Sequence, residues 1–295
     1  MDQLGLLELI REALIAVVHE MRANVIHSSY SSVIYEGHDF SCALLTADGR
    51  HVAQSDGDTP VHIIAVPYST REVIRTFKDD IHEGDVFLHN DPYTGGTHLN
   101  DILMLHPVCS RGKPVLFAAI RYHWADVGGM TAGSLSGQAR EIYQEGMRIT
   151  PTRICEKGAM NETFLRLLIE NMRLPAERMG DFNAMYGTAR KAEEHIQRLL
   201  KRFGPDDLIE AIEEILNRSE RVMRDRIQSL RDGDYYAENY IESDGVDPNP
   251  RVARLKLTIK GDEMIADFTG TSVQAAGPTN VGPSMTLTSL GSITK

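Results

Sequence analysis

The stretch DVFLHNDPYTGGTHLNDILMLHPVCSRGKPVLFAAIRYHWAD, residues 85–126, decides how the rest of the chain is read. Val86-Phe87-Leu88 is a short apolar run, and Asn90 to Gly96 has the composition of a loop. Ile102 to Val108 and Val115 to Tyr122 are apolar, β-branched and aromatic. Ser110-Arg111-Gly112-Lys113-Pro114 joins them, which predicts a strand–turn–strand unit. Four of the eleven histidines fall in this stretch, at 89, 98, 106 and 123. Imidazoles and carboxylates therefore lie at the ends of apolar strands, where a scaffold can hold them rigidly. His98 precedes Asp101 by three residues, and His123 precedes Asp126 by three, so each pair can converge locally. A divalent ion such as Zn²⁺, Mn²⁺ or Fe²⁺ accepts two imidazoles with one or two carboxylates and keeps a site for water or substrate. No cysteine lies inside either pair, which argues against a closed thiolate zinc site. The spacing is equally compatible with polar groups that cap turns and hydrogen-bond within a loop-rich core.

Working outward, the 295 residues suffice for one large core or two modest domains. An apolar content of 42% and a charged content of 25% are ordinary for a soluble globular protein. The formal net charge of −11 argues against a nucleic-acid surface, which needs a basic face. Cys42, Cys109 and Cys155 are odd in number and show no paired spacing, so a reducing cytoplasm is expected. No apolar run reaches about 18 residues, and no basic segment precedes an apolar one at the start. Membrane insertion and secretion are not expected.

In chain order, Leu4 to His27 carries apolar residues at helical spacing and predicts a packing helix. Residues 40–54 read as a hairpin turning at Asp48-Gly49, with Asp39 at its start. Glu36, three residues before Asp39, is a candidate base, with a capping or surface role as the alternative. A second helix is expected over about Val61 to Phe77, interrupted early by Pro67, and His62 near its start reads either as structural, the commoner role of a lone histidine there, or as a substrate or metal neighbour. Gly95-Gly96 can offer backbone N–H groups to an anion, but the pattern matches neither a P-loop nor a dinucleotide fingerprint. The long stretch 128–151 has loop composition, and Arg140 and Arg148 can clamp a carboxylate or phosphate or else pair with Glu141 and Glu145. Helices are expected at Thr163–Arg173, Glu177–Phe203 and from Asp206 to about Leu230, serving packing and subunit contact. Strands are expected at Tyr235–Glu242, Val252–Lys260 and Met264–Phe268. The fold class is therefore α+β, with a mixed β-sheet core carrying the metal site, a long antiparallel helical segment and the start of a second β lobe. The corresponding segments are 1–158, 159–231 and 232–295.

HNDPYTGGTHLNDILMLHPV at residues 89–108, followed by RYHWADVGG at 121–129, resembles the hydantoinase B/oxoprolinase family. That family includes B subunits of hydantoinases, the C-terminal half of 5-oxoprolinase, caprolactamase, and subunits of acetone and acetophenone carboxylases. Three further stretches share the likeness: SSVIYEGHDFSCALLTADGRHVAQS at 31–55, SLSGQAREIYQEGMRITPTRI at 134–154 and DFTGTSVQAAGPTN at 267–280. The resemblance implies a divalent ion, zinc or manganese or else iron, held by Asp39, His98, Asp101 and His123. Asp126 then becomes a catalytic-site residue that orients His123 or touches substrate. The resemblance also implies a partner, a hydantoinase A-type subunit, which binds ATP and phosphorylates the substrate, while this chain opens the activated ring of a hydantoin, 5-oxoproline or lactam. A cytoplasmic hetero-oligomer follows. The alternatives are an ATP-dependent ketone carboxylase subunit, a non-catalytic assembly subunit, and a metallohydrolase that needs no ATP. Family members are usually longer, so a C-terminal portion is expected to be absent here through truncation, a separate polypeptide or a short form.

Overall fold

α1 (Gln3–Ser28) opens the described part of the chain, and Leu7, Ile10, Leu14, Val18, Met21 and Val25 form its buried stripe. The computed structural model describes residues 3–294. A single turn, α2 (Ser32–Tyr35), leads into the hairpin β1 (Phe40–Thr46) and β2 (His51–Gln54). Gly49 sits in its turn at φ 79°, a conformation that glycine takes without a Cβ clash. α3 (Pro60–Phe77) starts on proline, where the missing N–H costs nothing, and runs through Pro67 without the expected interruption. β3 (Val86–His89) is followed by a 3₁₀ turn at Pro92–Thr94. β4 (Asp101–Ser110) and β5 (Lys113–His123) are joined by Arg111-Gly112, both left-handed (φ 53° and 75°), as a two-residue hairpin turn requires. The long stretch after β5 contains one short helix, α4 (Ile142–Glu145), and then β6 (Thr152–Glu156) and β7 (Ala159–Met160), neither of which the sequence pattern predicted. The helices α5 (Glu162–Glu170), α6 (Pro175–Phe203) and α7 (Pro205–Gln228) follow as expected. β8 (Gly233–Ile241), β9 (Arg251–Lys260) and β10 (Glu263–Asp267) form a three-stranded sheet, and α8 (Pro283–Thr294), not anticipated, ends the described chain.

The main sheet has the order β2-β1-β5-β4-β3-β6-β7, and every pairing in it is antiparallel. The expected mixed sheet thus narrows to an antiparallel one within the α+β class. The reason is topological: β1–β2, β4–β5 and β6–β7 are hairpins, the non-consecutive neighbours β1–β5 and β3–β6 also run antiparallel, and α3 links β2 to β3, which do not pair. Alternate residues face opposite ways. Phe40, Leu44, Met104, Ile120 and Tyr122 pack under α1 and α6, while Ala43, Leu45, Leu103, Phe117 and Ala119 pack under Val66 and Val73 of α3. α8 lies on the outer side of α3, with Gly291 against the Ile64 side chain, and Ser284 Oγ donates to Gly96 O at 2.5 Å. All nine residues of β8 are exposed.

Candidate metal centre

The hairpin registers bring three strand ends together. Phe40 lies opposite Tyr122 and Asp101 opposite His123, and the backbone N–H of His123 donates to Asp39 O at 3.0 Å. Asp39, Asp101 and His123 therefore point from adjacent strands to the α3 face. His98 arrives from the loop before β4, its Nδ1 2.7 Å from Asp101 Oδ2, an oxygen that also accepts from the Thr97 hydroxyl. His123 Nδ1 lies 3.4 Å from Asp101 Oδ1 and 3.6 Å from Asp39 Oδ2. The His98 and His123 rings are 4.9 Å apart, and one ligand atom each from His98, Asp101 and His123 lie within 4.8 Å of one another. His62, in the first turn of α3, joins them, its Nε2 3.2 Å from Asp101 Oδ1 and 3.6 Å from Asp39 Oδ1.

The loop that carries His98 is held by amides and glycines. Asn90 Nδ2 donates to Leu99 O and Met147 O, and Asn90 Oδ1 accepts from Ile149 N at 2.6 Å. Asn100 Nδ2 donates to Trp124 O at 2.8 Å, so the HLND turn is tied to the end of β5. A Cβ on Gly96 would lie 2.3 Å from Asn90 O, and one on Gly95 (φ 111°) would lie 2.6 Å from Ser69 N. The Gly96 N–H donates to Asp91 O at 2.8 Å. The glycine pair thus serves close backbone packing, and the anion cradle considered for it lacks the Gly96 donor.

Electrostatics favour a charged carboxylate at the floor of this cluster. Burial, the largest single influence, opposes ionisation of Asp101, but His62, His123 and His98 outweigh it and hold the carboxyl well below the usual carboxylate range. Burial likewise works against a charge on His98, yet Asp101 and Asp39 raise it. Asp101 Oδ1 is buried without a hydrogen-bond partner. A buried anionic oxygen left in that state, faced by imidazoles and a second carboxylate, suits a divalent cation. The O and N donors fit zinc, manganese or iron. Asp101 is wholly buried, whereas the Asp39 and His98 side chains are each more than one-third exposed, so the cluster is reached from that side.

Two sequence-predicted site residues stand elsewhere. Asp126 Oδ1 accepts from Gly128 N and Arg173 N, and Oδ2 accepts from Gly133 N at 2.9 Å and from Arg173 at 3.0 Å. The carboxylate is consumed in tying the loop after β5 to the end of α5, so it does not orient His123 as expected. Burial tends to raise its pKa, and these donors outweigh that and lower it. Glu36 is exposed at the C-cap of α2, with its backbone N–H on Ser32 O. Arg148 lies over the Tyr93 ring at 5.9 Å, and Arg140 bonds through its backbone N–H to Gln144. Neither makes the ion pair with Glu141 or Glu145 that was considered. Two residues carry weak signals in the sequence: His62, where a metal neighbour is the lesser alternative to a structural role, and Glu145, one loop charge among several. Glu145 is half-buried, its carboxyl is pushed up by burial, and the His98 charge acts against that.

A profile of the hydantoinase B/oxoprolinase family matches residues 5–294. The chain belongs to that family. Within it, the chain is 34% identical over 257 residues to the caprolactamase subunit beta of Pseudomonas jessenii, covering 87% of this chain and 44% of the relative. It is 31% identical over 276 residues to a 5-oxoprolinase of Dictyostelium discoideum, covering 92% of this chain and 22% of that one. The crystal structure of the ATP-dependent caprolactamase from Pseudomonas jessenii superposes with a TM-score of 0.91 at 31% identity, over 99% of this chain and 50% of the other. A nucleotide-free acetone carboxylase structure has a TM-score of 0.89 at 17% identity, over 98% of this chain and 40% of that one, and shows the shared fold. The chain spans 44–50% of the length of the first three curated relatives and 22–36% of five others. Among the described residues no helix is long and apolar enough to cross a membrane.

Proposed function

We propose that this hydantoinase B-type chain is the metal-binding part of an ATP-dependent enzyme that opens a cyclic amide: a hydantoin, 5-oxoproline or a lactam. The convergence of His98, Asp101 and His123, with Asp39 3.6 Å from His123 Nδ1, carries the proposal. These four residues hold one divalent cation, zinc or manganese or else iron. When bound, the ion supplies Lewis-acid polarisation of a carbonyl or phosphoryl oxygen and acidifies water. Asp101 contributes a charge that the imidazoles keep ionised, and Thr97 fixes one of its oxygens. His98, with Nδ1 against Asp101, offers its other nitrogen. Asp39 and His98 line the approach and meet the substrate first. Glu145, half-buried and electrostatically coupled to His98, is the candidate general base in place of Asp126 and Glu36.

ATP is bound by a partner of the hydantoinase A type, which activates the substrate by phosphorylation. The relatives support this, one solved as an ATP-dependent enzyme and one described as a subunit beta. The assembly is a cytoplasmic hetero-oligomer. The test is reconstitution with the A-type subunit and assay of ATP-coupled turnover on hydantoins, 5-oxoproline, lactams, and ketones with bicarbonate. Coupling to a cyclic amide is expected. Coupling to ketone carboxylation alone would move the chain to the carboxylase branch, and coupling to none would overturn the substrate class.

A further inference from the structure

We propose that His62 is a positioning residue of this centre: its Nε2 edge faces the carboxylates of Asp39 and Asp101 and keeps them in apposition by close polar contact, without itself contacting the cation. This rests on the metal-centre reading above and adds a residue to it. The His62 side chain is 2% exposed, and its Nε2 lies between two carboxylate oxygens, 3.2 Å from Asp101 Oδ1 and 3.6 Å from Asp39 Oδ1. Asp39 precedes β1 and Asp101 begins β4, and β5 lies between those strands. His123 of β5 spans the two carboxylates from within the sheet, at 3.4 Å from Asp101 and 3.6 Å from Asp39, and His62 spans them from above it.

The tautomer decides between bridging and ligation. His62 Nδ1 is buried and has no hydrogen-bond partner. A neutral imidazole carries one proton, and placing it on Nδ1 would bury an unmet donor while leaving Nε2 as an acceptor facing two anions. The proton therefore belongs on Nε2, and a protonated nitrogen has no lone pair for a metal. His98 is the contrast. Its Nδ1 faces Asp101 Oδ2 at 2.7 Å, so its proton sits there and Nε2 is the free donor. The backbone of His62 is fixed as well, since its N–H donates to Thr59 O at 3.0 Å. The wholly buried Arg121 reaches His62 O at 3.4 Å from one guanidinium nitrogen, and another donates to Ser69 Oγ at 2.7 Å. The backbone that carries the ring is thus held by α3 from its own side and by β5 from beneath.

The experiment titrates Zn²⁺ and Mn²⁺ against a competing chelator into the purified chain, as wild type, His62→Ala and His62→Gln, with circular dichroism confirming the fold. His62→Ala should weaken metal binding about 10–100-fold, the loss typical of an outer partner. His62→Gln, which returns a polar N–H to the same position, should recover most of it. Unchanged affinity in His62→Ala would overturn the proposal. So would His62→Gln binding no better than His62→Ala, which would make His62 a ligand. Nitrogen-15 shifts of the imidazole in the metal-free wild type give an independent answer, with the Nε2–H tautomer expected. The Nδ1–H tautomer would overturn the proposal whatever the variants do. A wild-type chain that takes up no ion strikes the metal-centre reading instead, and the ring tautomer still decides the role of His62.

Discussion

The two faces of the seven-stranded sheet use the same strands for opposite purposes. Towards α1 and α6 the strands present Phe40, Leu44, Met104, Ile120 and Tyr122, all wholly buried. Polar groups on that side come as separate partnerships, such as His106 with Glu193 at 2.9 Å, or Asp181 accepting from the backbone N–H groups of Tyr30 and Ser31. Towards α3 the residues one step along the same strands are Asp39, Asp101, Arg121 and His123, with His62 descending on them from the helix. A separate pair can knit two elements together. A buried carboxylate oxygen left without a hydrogen bond, as Asp101 Oδ1 is, costs stability unless something binds there. The difference between the faces is thus a difference between holding the fold and preparing a site, and it rests on the period-two alternation of a strand.

That contrast can be broken from either side. The largest effect is expected from Asp101→Asn, which removes the charge that His62, His98 and His123 surround. ATP-coupled turnover in the reconstituted enzyme should fall by more than the roughly 10–100-fold typical of losing an outer partner, with metal content lost in parallel. Ile120→Ala, on the opposite face, should cost about 2–5 kcal/mol in urea unfolding while leaving metal bound per folded chain unchanged. If Ile120→Ala weakened metal binding as strongly as Asp101→Asn, the division between the faces would fall.

A smaller effect concerns pH. Burial, with Arg121 second, lowers the pKa of His89 from 6.5 to about 3. The folded chain therefore keeps this ring neutral, while the unfolded chain protonates it below about pH 6.5. The stability it contributes is fully present above pH 6.5 and is lost as pH falls towards 3, with a slope of up to about 1.4 kcal/mol per pH unit. His89→Gln should flatten that slope in denaturant titrations at pH 7, 5.5 and 4.5, and an unchanged slope would remove His89 as its source. The smallest effect lies away from both faces. Arg50 bonds Glu213 at 2.8 Å with both side chains more than one-third exposed, so Glu213→Gln should cost below about 1 kcal/mol and less in high salt.

Much of this was legible in the sequence, for physical reasons that can be named. Ile102–Val108 and Val115–Tyr122 were readable as paired strands because β-branched and aromatic runs flank a glycine turn, and that hairpin sets Asp101 opposite His123. The long helices were readable from their apolar stripes and their proline and glycine boundaries. Asp39 was not reachable from spacing, since only the pairing of β1 with β5 brings it beside His123, and it entered through the family resemblance. His62 was undervalued because a lone histidine at a helix start carries no periodic signal, and its partners lie on other elements. Asp126 misled for the converse reason. A three-residue step from His123 suggested convergence, but the chain turns at Gly128, and the carboxylate is drawn to backbone N–H groups and Arg173. β6, β7 and α8 were missed because short edge strands and a threonine- and serine-rich helix carry weak patterns.

Metal analysis of the purified chain beside its His98→Ala variant tests the central claim most directly. The structure of the cluster predicts one zinc, manganese or iron per wild-type chain, retained through chelator-free gel filtration and lost in a folded His98→Ala protein. A wild-type chain that carries no transition metal, yet supports full ATP-coupled turnover with its partner in metal-depleted buffer, would contradict it.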